Sequence, residues 1–323
     1  MNIPSPETRI NPRDKICLLG SCFAGYMGNR MKRAGLDVSV NPFGVLYNPL
    51  SIETVCALLA GKIVLSDDCF VEADSMWHCW WVDGSFSAAE REACRAGIEM
   101  TVREQAERLK QLDCLFLTLG TNRYYEIPSL RMVAGNCHKQ PSSMFVERCS
   151  DVDQTTEALE QALTALWRVR PSLRVVFTVS PYRYAKYGFH ESRLAKSVLL
   201  LAVDNLCRRY DLCSYFPAYE ILLDELRDYR FYAEDMLHPS DVAVSYIWER
   251  FSEVYFSPST QMFVQEREAV ARALEHRLLH PESEAARTFQ ANTMRKIEQF
   301  NRKYKTAEFM AEYERLQTLL ATP

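Results

Sequence analysis

The chain has 323 residues, 48% of them hydrophobic and 25% charged, with a net charge of −4. This is the profile of an ordinary globular protein, long enough for one large domain or a core with an appendage. Nothing in it predicts nucleic-acid binding, which needs a concentrated basic face, and its longest central apolar run, Ser197 to Val203, is far too short to span a bilayer.

The opening stretch, Met1 to Asp14, is polar and carries Pro4, Pro6 and Pro12. It lacks the basic-then-apolar pattern of a secretory signal. The 11 cysteines are scattered and include no C-x-x-C pair, so they read as buried free thiols rather than a zinc knuckle. Together these features predict a cytoplasmic protein.

Lys15 to Leu19 (KICLL) reads as a buried strand running into Gly20 and Ser21. Phe23, Met27, Met31 and Ala34 then recur at helical spacing, and Gly35 ends that helix. Val38 to Val40 is a second strand, closing at Asn41-Pro42-Phe43-Gly44. A helix follows over Ser51 to Ala60 with Ser51 as N-cap. The aromatic segment Phe70 to Phe86 predicts a hairpin turning at Asp83-Gly84. Ser87 to Leu112 predicts a long helix opened by an S-A-A-E capping box.

Cys114 to Leu119 is the next buried strand, ending at Gly120-Thr121-Asn122. Helix Thr155–Val169, strand Arg174–Val179, helix Leu194–Tyr210, a weak strand Cys213–Phe216 and helix Asp241–Phe256 complete the core. Alternation of strand and helix predicts a three-layer α/β/α sandwich with a mostly parallel sheet. From Ser257 on, the chain is charged and helical with a loose apolar stripe that includes Leu274, Phe289 and Phe300. We expect a domain over 1–256 and a helical C-terminal extension over 257–323, acting as a brace or as a contact between copies of the chain.

Open parallel sheets bind ligands beyond the carboxyl ends of their strands. Ser21 lies there, at a strand-to-helix junction where the Ser21 and Cys22 N–H groups and the helix dipole would favour an oxyanion. It equally suits a plain helix cap. His238 follows Asp235 by three residues, a spacing that lets the carboxylate hold one imidazole nitrogen and leaves the other to take a proton. The alternative is a loop histidine beside a surface acid.

G-S-C-F-A (Gly20 to Ala24) is the signature that names the GSCFA-domain proteins, and the chain resembles them over residues 10 to 256. N-P-F-G-V-L-Y-N-P (Asn41 to Pro49), N-C-H-K (Asn136 to Lys139), S-P-Y-R (Ser180 to Arg183), Y-F-P-A-Y-E (Tyr215 to Glu220) and R-F-Y-A-E-D-M-L-H-P-S (Arg230 to Ser240) extend the likeness. The family is similar to the SGNH (GDSL-like) hydrolases, here without an acid before the serine and with Arg123 after the third block. The resemblance implies a triad of Ser21, His238 and Asp235. It also implies an oxyanion hole from the Ser21 N–H, the Gly44 N–H and the Asn122 side chain.

Other residues have chemical readings beside bland ones. Cys22 is an alternative nucleophile, although a residue one position into a helix is expected to turn away from the site. Asn136 and His138 line the pocket, with His138 as a second imidazole, or simply brace a loop. Arg183 meets a substrate anion or a carboxylate of the chain. Trp77, Trp80 and Trp81 form a stacking platform or core. His276 and His280 stand four apart, but the interposed Glu of H-E-x-x-H is missing, so no metal site is expected. His190 fits a loop or lid position.

The reaction expected from these readings is hydrolysis of an ester, with an acylated carbohydrate or other small-molecule ester as substrate and no cofactor. Transfer of the acyl group to a sugar hydroxyl and a non-catalytic binding or scaffold role on the same fold are the alternatives.

Overall fold

The computed structural model describes residues 1–280 and 282–321. In chain order, β1 (Lys15–Gly20) runs into α1 (Cys22–Arg33), β2 (Asp37–Val40) and α2 (Pro49–Leu59). A hairpin, β3 (Phe70–Ala73) and β4 (Met76–Cys79), precedes α3 (Arg91–Leu109) and β5 (Cys114–Leu119). Three short strands follow: β6 (Arg123–Ile127), β7 (Met132–Ala134) and β8 (Val146–Cys149). Then come α4 (Val152–Val169), β9 (Arg174–Val179), α5 (Phe189–Arg209), β10 (Cys213–Tyr215), a turn α6 (Ala218–Glu220) and α7 (Asp241–Tyr255). The last helices are α8 (Pro258–Glu275), α9 (Glu284–Tyr304) and α10 (Met310–Ala321).

Among the described residues, five strands pair in parallel in the order β10-β9-β5-β1-β2. Both faces are covered, which is why β1 and β5 read as near-continuous apolar runs rather than as alternating ones. Ile16, Leu18 and Phe116 face α1 and α7, while Cys17, Leu19, Leu115 and Leu117 face α2, α4 and α5. The predicted α/β/α sandwich is therefore the observed architecture. The chain leaves β1 for β2 on one side and returns to β5 on the other. The crevice between β1 and β5 is thus the topological switch point.

Several local expectations are corrected by capping and turn chemistry. The β3–β4 hairpin turns at Asp74-Ser75, not at Asp83-Gly84, because both turn residues adopt the left-handed conformation (φ 50° and 60°) that a two-residue hairpin loop needs. Asp83 instead accepts the Ser85 N–H at 2.9 Å. The predicted Ser87 capping box is absent: Ala88 pairs with Trp77 by two backbone hydrogen bonds, and α3 begins only at Arg91. Asn48, not Ser51, caps α2, its Oδ1 accepting the Ser51 N–H at 2.9 Å, with Pro49 at the first helical position.

The antiparallel sheet β7-β6-β8 was not legible as strands, since it mixes charged and aromatic residues without clean alternation. The final helices pack onto the α1 side of the core. Phe263, Ile297 and Phe300 join that apolar cluster, and the Thr260 hydroxyl donates to Ile10 O at 2.7 Å.

Candidate active site

β1 ends at Gly20 with φ +135°, a conformation that an L side chain rarely takes. A Cβ there would sit 2.1 Å from Thr118 O, so only glycine lets β1 and β5 close up at this point. Asn41 Oδ1 accepts the Gly20 N–H at 3.0 Å and the Leu46 N–H donates to Gly20 O at 2.9 Å, which fixes the turn from both sides. The next residue is Ser21. It occupies the N-cap position of α1, yet its side chain caps nothing.

Ser21 is 2% exposed, and its Oγ is buried without a hydrogen-bond partner among the described residues. A buried hydroxyl left unpaired costs roughly 1–3 kcal/mol, so it calls for an explanation. This disposes of the simple capping role. The residue lines a cavity of about 430 Å³ together with Cys22, Asn48, Tyr182 and His238.

His238 is carried on the loop before α7. The Ala233 N–H donates to His238 O, and Met236 takes φ +59°, which folds the loop so that Asp235 faces back along it. His238 Nδ1 lies 2.5 Å from Asp235 Oδ2. Asp235 Oδ1 accepts the Leu237 and His238 N–H groups at 2.8 and 2.9 Å. The His238 hydrogen bond, then these backbone donors, hold the Asp235 carboxyl down to about 2. Tyr182 packs on the imidazole with ring centroids 4.4 Å apart. Ser21 and His238 thus share a cavity wall, with no hydrogen bond between them in this structure.

The three expected oxyanion donors are all engaged elsewhere. The Ser21 N–H donates to Thr118 O at 2.9 Å, continuing the β1–β5 ladder. The Gly44 N–H donates to Asn41 O at 2.8 Å, and Asp83 fills the space beside Gly44. Asn122 Nδ2 donates to Ser150 O at 2.6 Å, tying β8 to the end of β5. Neither Gly44 nor Asn122 lines the cavity. Asn48 does line it: helix capping occupies its Oδ1, and its Nδ2 makes no hydrogen bond among the described residues. The Cys22 N–H, first of α1, also has no backbone acceptor there.

Asn136 and Cys137 line the cavity, whereas His138 does not. Its Nε2 meets Cys79 O at 2.8 Å and its ring stacks on His78, so it locks the loop against β4, and burial lowers its pKa. Arg183 also faces away from Ser21. Its backbone N–H donates to Leu237 O and its Nη1 to Met236 O, clamping the Asp235–His238 loop. Cys22, expected to turn away, stands on the cavity wall, and burial raises its thiol above the ordinary range. Trp80 and Trp81 are core, and Trp77 packs against them. His276 follows the end of α8 in an extended conformation, so it and His280 do not share a helix face.

One residue with no sequence signal is Lys196, on α5. It is 1% exposed, and its Nζ donates to Gly120 O at 2.6 Å and Ser180 O at 2.8 Å. It joins the carboxyl ends of β5 and β9 behind the cavity, and burial pushes its pKa down to about 7. Five tyrosines, Tyr47, Tyr125, Tyr182, Tyr184 and Tyr187, form much of the cavity wall. Tyr182, Tyr184 and Tyr187 come from the one loop between β9 and α5, and the fold brings Tyr47 and Tyr125 to them from distant parts of the chain.

This layout defines a doubly wound α/β protein whose cavity opens at the carboxyl ends of the strands, at the switch point. The chain belongs to the GSCFA family, whose model matches residues 15–251, and a second model, the C-terminal domain of GSCFA domain proteins, matches residues 268–322. No curated protein matches the chain. Among solved structures, it is similar to a Streptococcus pneumonia chain described as a candidate platelet activating factor (12% identity, 76% of this chain and 85% of that one, TM-score 0.38). It is similar also to a Clostridium thermocellum family 3 carbohydrate esterase (11% identity, 78% and 98%, TM-score 0.35). A third is an acetyl esterase variant with an acetate ion (13% identity, 80% and 99%, TM-score 0.31). No helix of the described residues is long and apolar enough to cross a membrane.

Proposed function

We propose that this protein is a serine hydrolase of ester bonds, with Ser21 as nucleophile, His238 as general base and Asp235 as the group that orients it. The observation that carries the reading is the unpaired, buried Ser21 Oγ on a cavity wall shared with an imidazole whose Nδ1 is held by Asp235. That hydrogen bond fixes the tautomer and leaves Nε2 to accept the serine proton. Attack requires the imidazole to close on Ser21 Oγ to roughly 2.6–3.2 Å, a contact that commonly tightens only with substrate bound.

Ser21 Oγ would bond to the acyl carbon as its proton passes to His238. The resulting imidazolium, stabilised by Asp235, would return that proton to the departing alkoxide. Water would then release the acid by the same sequence. The Cys22 N–H, which has no backbone acceptor, and Asn48 Nδ2 are our assignment for the oxyanion donors, and the dipole of α1 adds to them. Tyrosine walls suit the polar and apolar faces of a sugar ring, so an acylated carbohydrate is the substrate class we favour. A sugar hydroxyl in place of water would make the same machinery an acyltransferase.

Labelling with a fluorophosphonate probe, mapped by peptide mass spectrometry, tests this reading. We expect an adduct on Ser21 that disappears in Ser21→Ala and His238→Ala and persists in Cys22→Ala. A well-folded wild type that takes up no probe would overturn it and point to the binding-protein alternative.

A further inference from the structure

A second cavity, of about 220 Å³, opens on the far side of Tyr182, whose ring lines both this cavity and the one at Ser21. Three arginines line it, Arg183, Arg193 and Arg227. No carboxylate lies within 4 Å of any of the three among the described residues. Nor do the Arg193 and Arg227 side chains make a hydrogen bond there. Arg183 is held in place by its bond to Met236 O and by stacking on Phe189 and Tyr232, 4.0 and 5.0 Å from the ring centroids. Of the acids nearest in sequence, Glu191 pairs with Arg123, Asp228 caps the Arg230 N–H and Glu225 meets the N-terminal amine, while Asp224 stands near Tyr219 on the cavity wall without pairing with an arginine. Like charges that line one cavity repel one another, so the site favours an anionic ligand.

We propose that this cavity is a binding site for a phosphate dianion, borne by a small organic ligand whose body packs on the Tyr229 and Tyr232 rings. The charge decides the class. Guanidinium forks match phosphate oxygens, and a dianion offsets more of a triple positive charge than a single carboxylate does. The aromatic walls favour an organic body over the free ion. The site does not depend on the chemistry proposed for Ser21.

Isothermal titration of the full chain at low ionic strength, with inorganic phosphate and with phenyl phosphate, tests the assignment. We expect saturable binding of one phenyl phosphate per chain, weakened by added salt. Affinity should fall about tenfold or more in Arg193→Gln and in Arg227→Gln, each checked for an unchanged melting temperature. Tighter binding of phenyl phosphate than of inorganic phosphate is expected, and equal binding of the two would overturn the organic-ligand assignment. Absence of saturable binding to either probe, or affinity that survives both substitutions in folded protein, would overturn the proposal.

Discussion

Asp235 Oδ2 and His238 Nδ1 stand 2.5 Å apart on one turn of loop, and the other oxygen of the same carboxylate accepts the His238 backbone N–H. One carboxylate therefore sets both the orientation of the imidazole and the path of the chain that carries it. Replacing Asp235 with Asn keeps the shape but offers the ring a neutral partner and permits the wrong tautomer. We expect fluorophosphonate labelling of Ser21 to slow by roughly 10²–10⁴-fold in this variant. Because Asp235 is held ionised down to about 2, its protonation will not set the acid limb of the wild-type labelling profile. A limb near pH 4 would contradict that.

Asn48 and Asn122 separate the oxyanion role from a structural one. Asn48→Ala should lower the turnover of an ester substrate by about 10²–10³-fold, the usual effect of losing one oxyanion donor. It should also cost about 1 kcal/mol through the lost cap of α2. Asn122→Ala should mainly destabilise, by about 1–3 kcal/mol, because it leaves Ser150 O buried without its donor. Denaturant unfolding alongside kinetics distinguishes the two, and the opposite pattern would restore the oxyanion role to Asn122.

Lys196 makes stability depend on pH. Its folded-state pKa, about 7, lies below its ordinary value, so between about pH 7 and 10 the unfolded chain binds a proton that the folded chain does not. Wild type should therefore gain stability relative to Lys196→Met across that window, by up to about 1.4 kcal/mol per pH unit. A stability difference between the two proteins that is the same at pH 7 and pH 9.5 would show that the folded lysine keeps its proton and that its pKa is not lowered.

Gly20→Ala should be among the most damaging substitutions in the core. Its Cβ would enter the Thr118 carbonyl, and the backbone can relieve the clash only by parting β1 from β5. A loss of about 3 kcal/mol or more is expected, with Ser21 displaced and labelling abolished. Thermal unfolding of the variant checks the first effect and probe labelling the second.

The main layers were legible because both signals behind them are local. Buried strands such as Cys114–Leu119 are apolar throughout, and helices such as α1 repeat their apolar residues at helical spacing. The β6–β8 sheet was not legible, since the charges at Arg123, Glu126, Glu147 and Arg148 mask in sequence the short apolar face, with Ile127 and Ala134, that packs on the core. At the site, Ser21 and the Asp235–His238 pair could be named from short motifs because each depends on neighbours within three residues. Which donors remained free could not, because Thr118, Ser150 and the turn at Asn41 take up the expected ones across long stretches of chain.

The sequence by itself determined the alternating α/β order, the glycine that carries Ser21 out of the first strand, and the Asp-x-x-His spacing that locks an imidazole. These follow from backbone conformation and nearest-neighbour geometry. Only the tertiary structure decided that Asn48 rather than Asn122 faces the cavity, that Arg183 grips the histidine loop, that Lys196 lies buried behind the site, and that three arginines without ion-pair partners line one cavity. Burial, desolvation and charge convergence are properties of residues brought together from distant parts of the chain, and no local pattern encodes them.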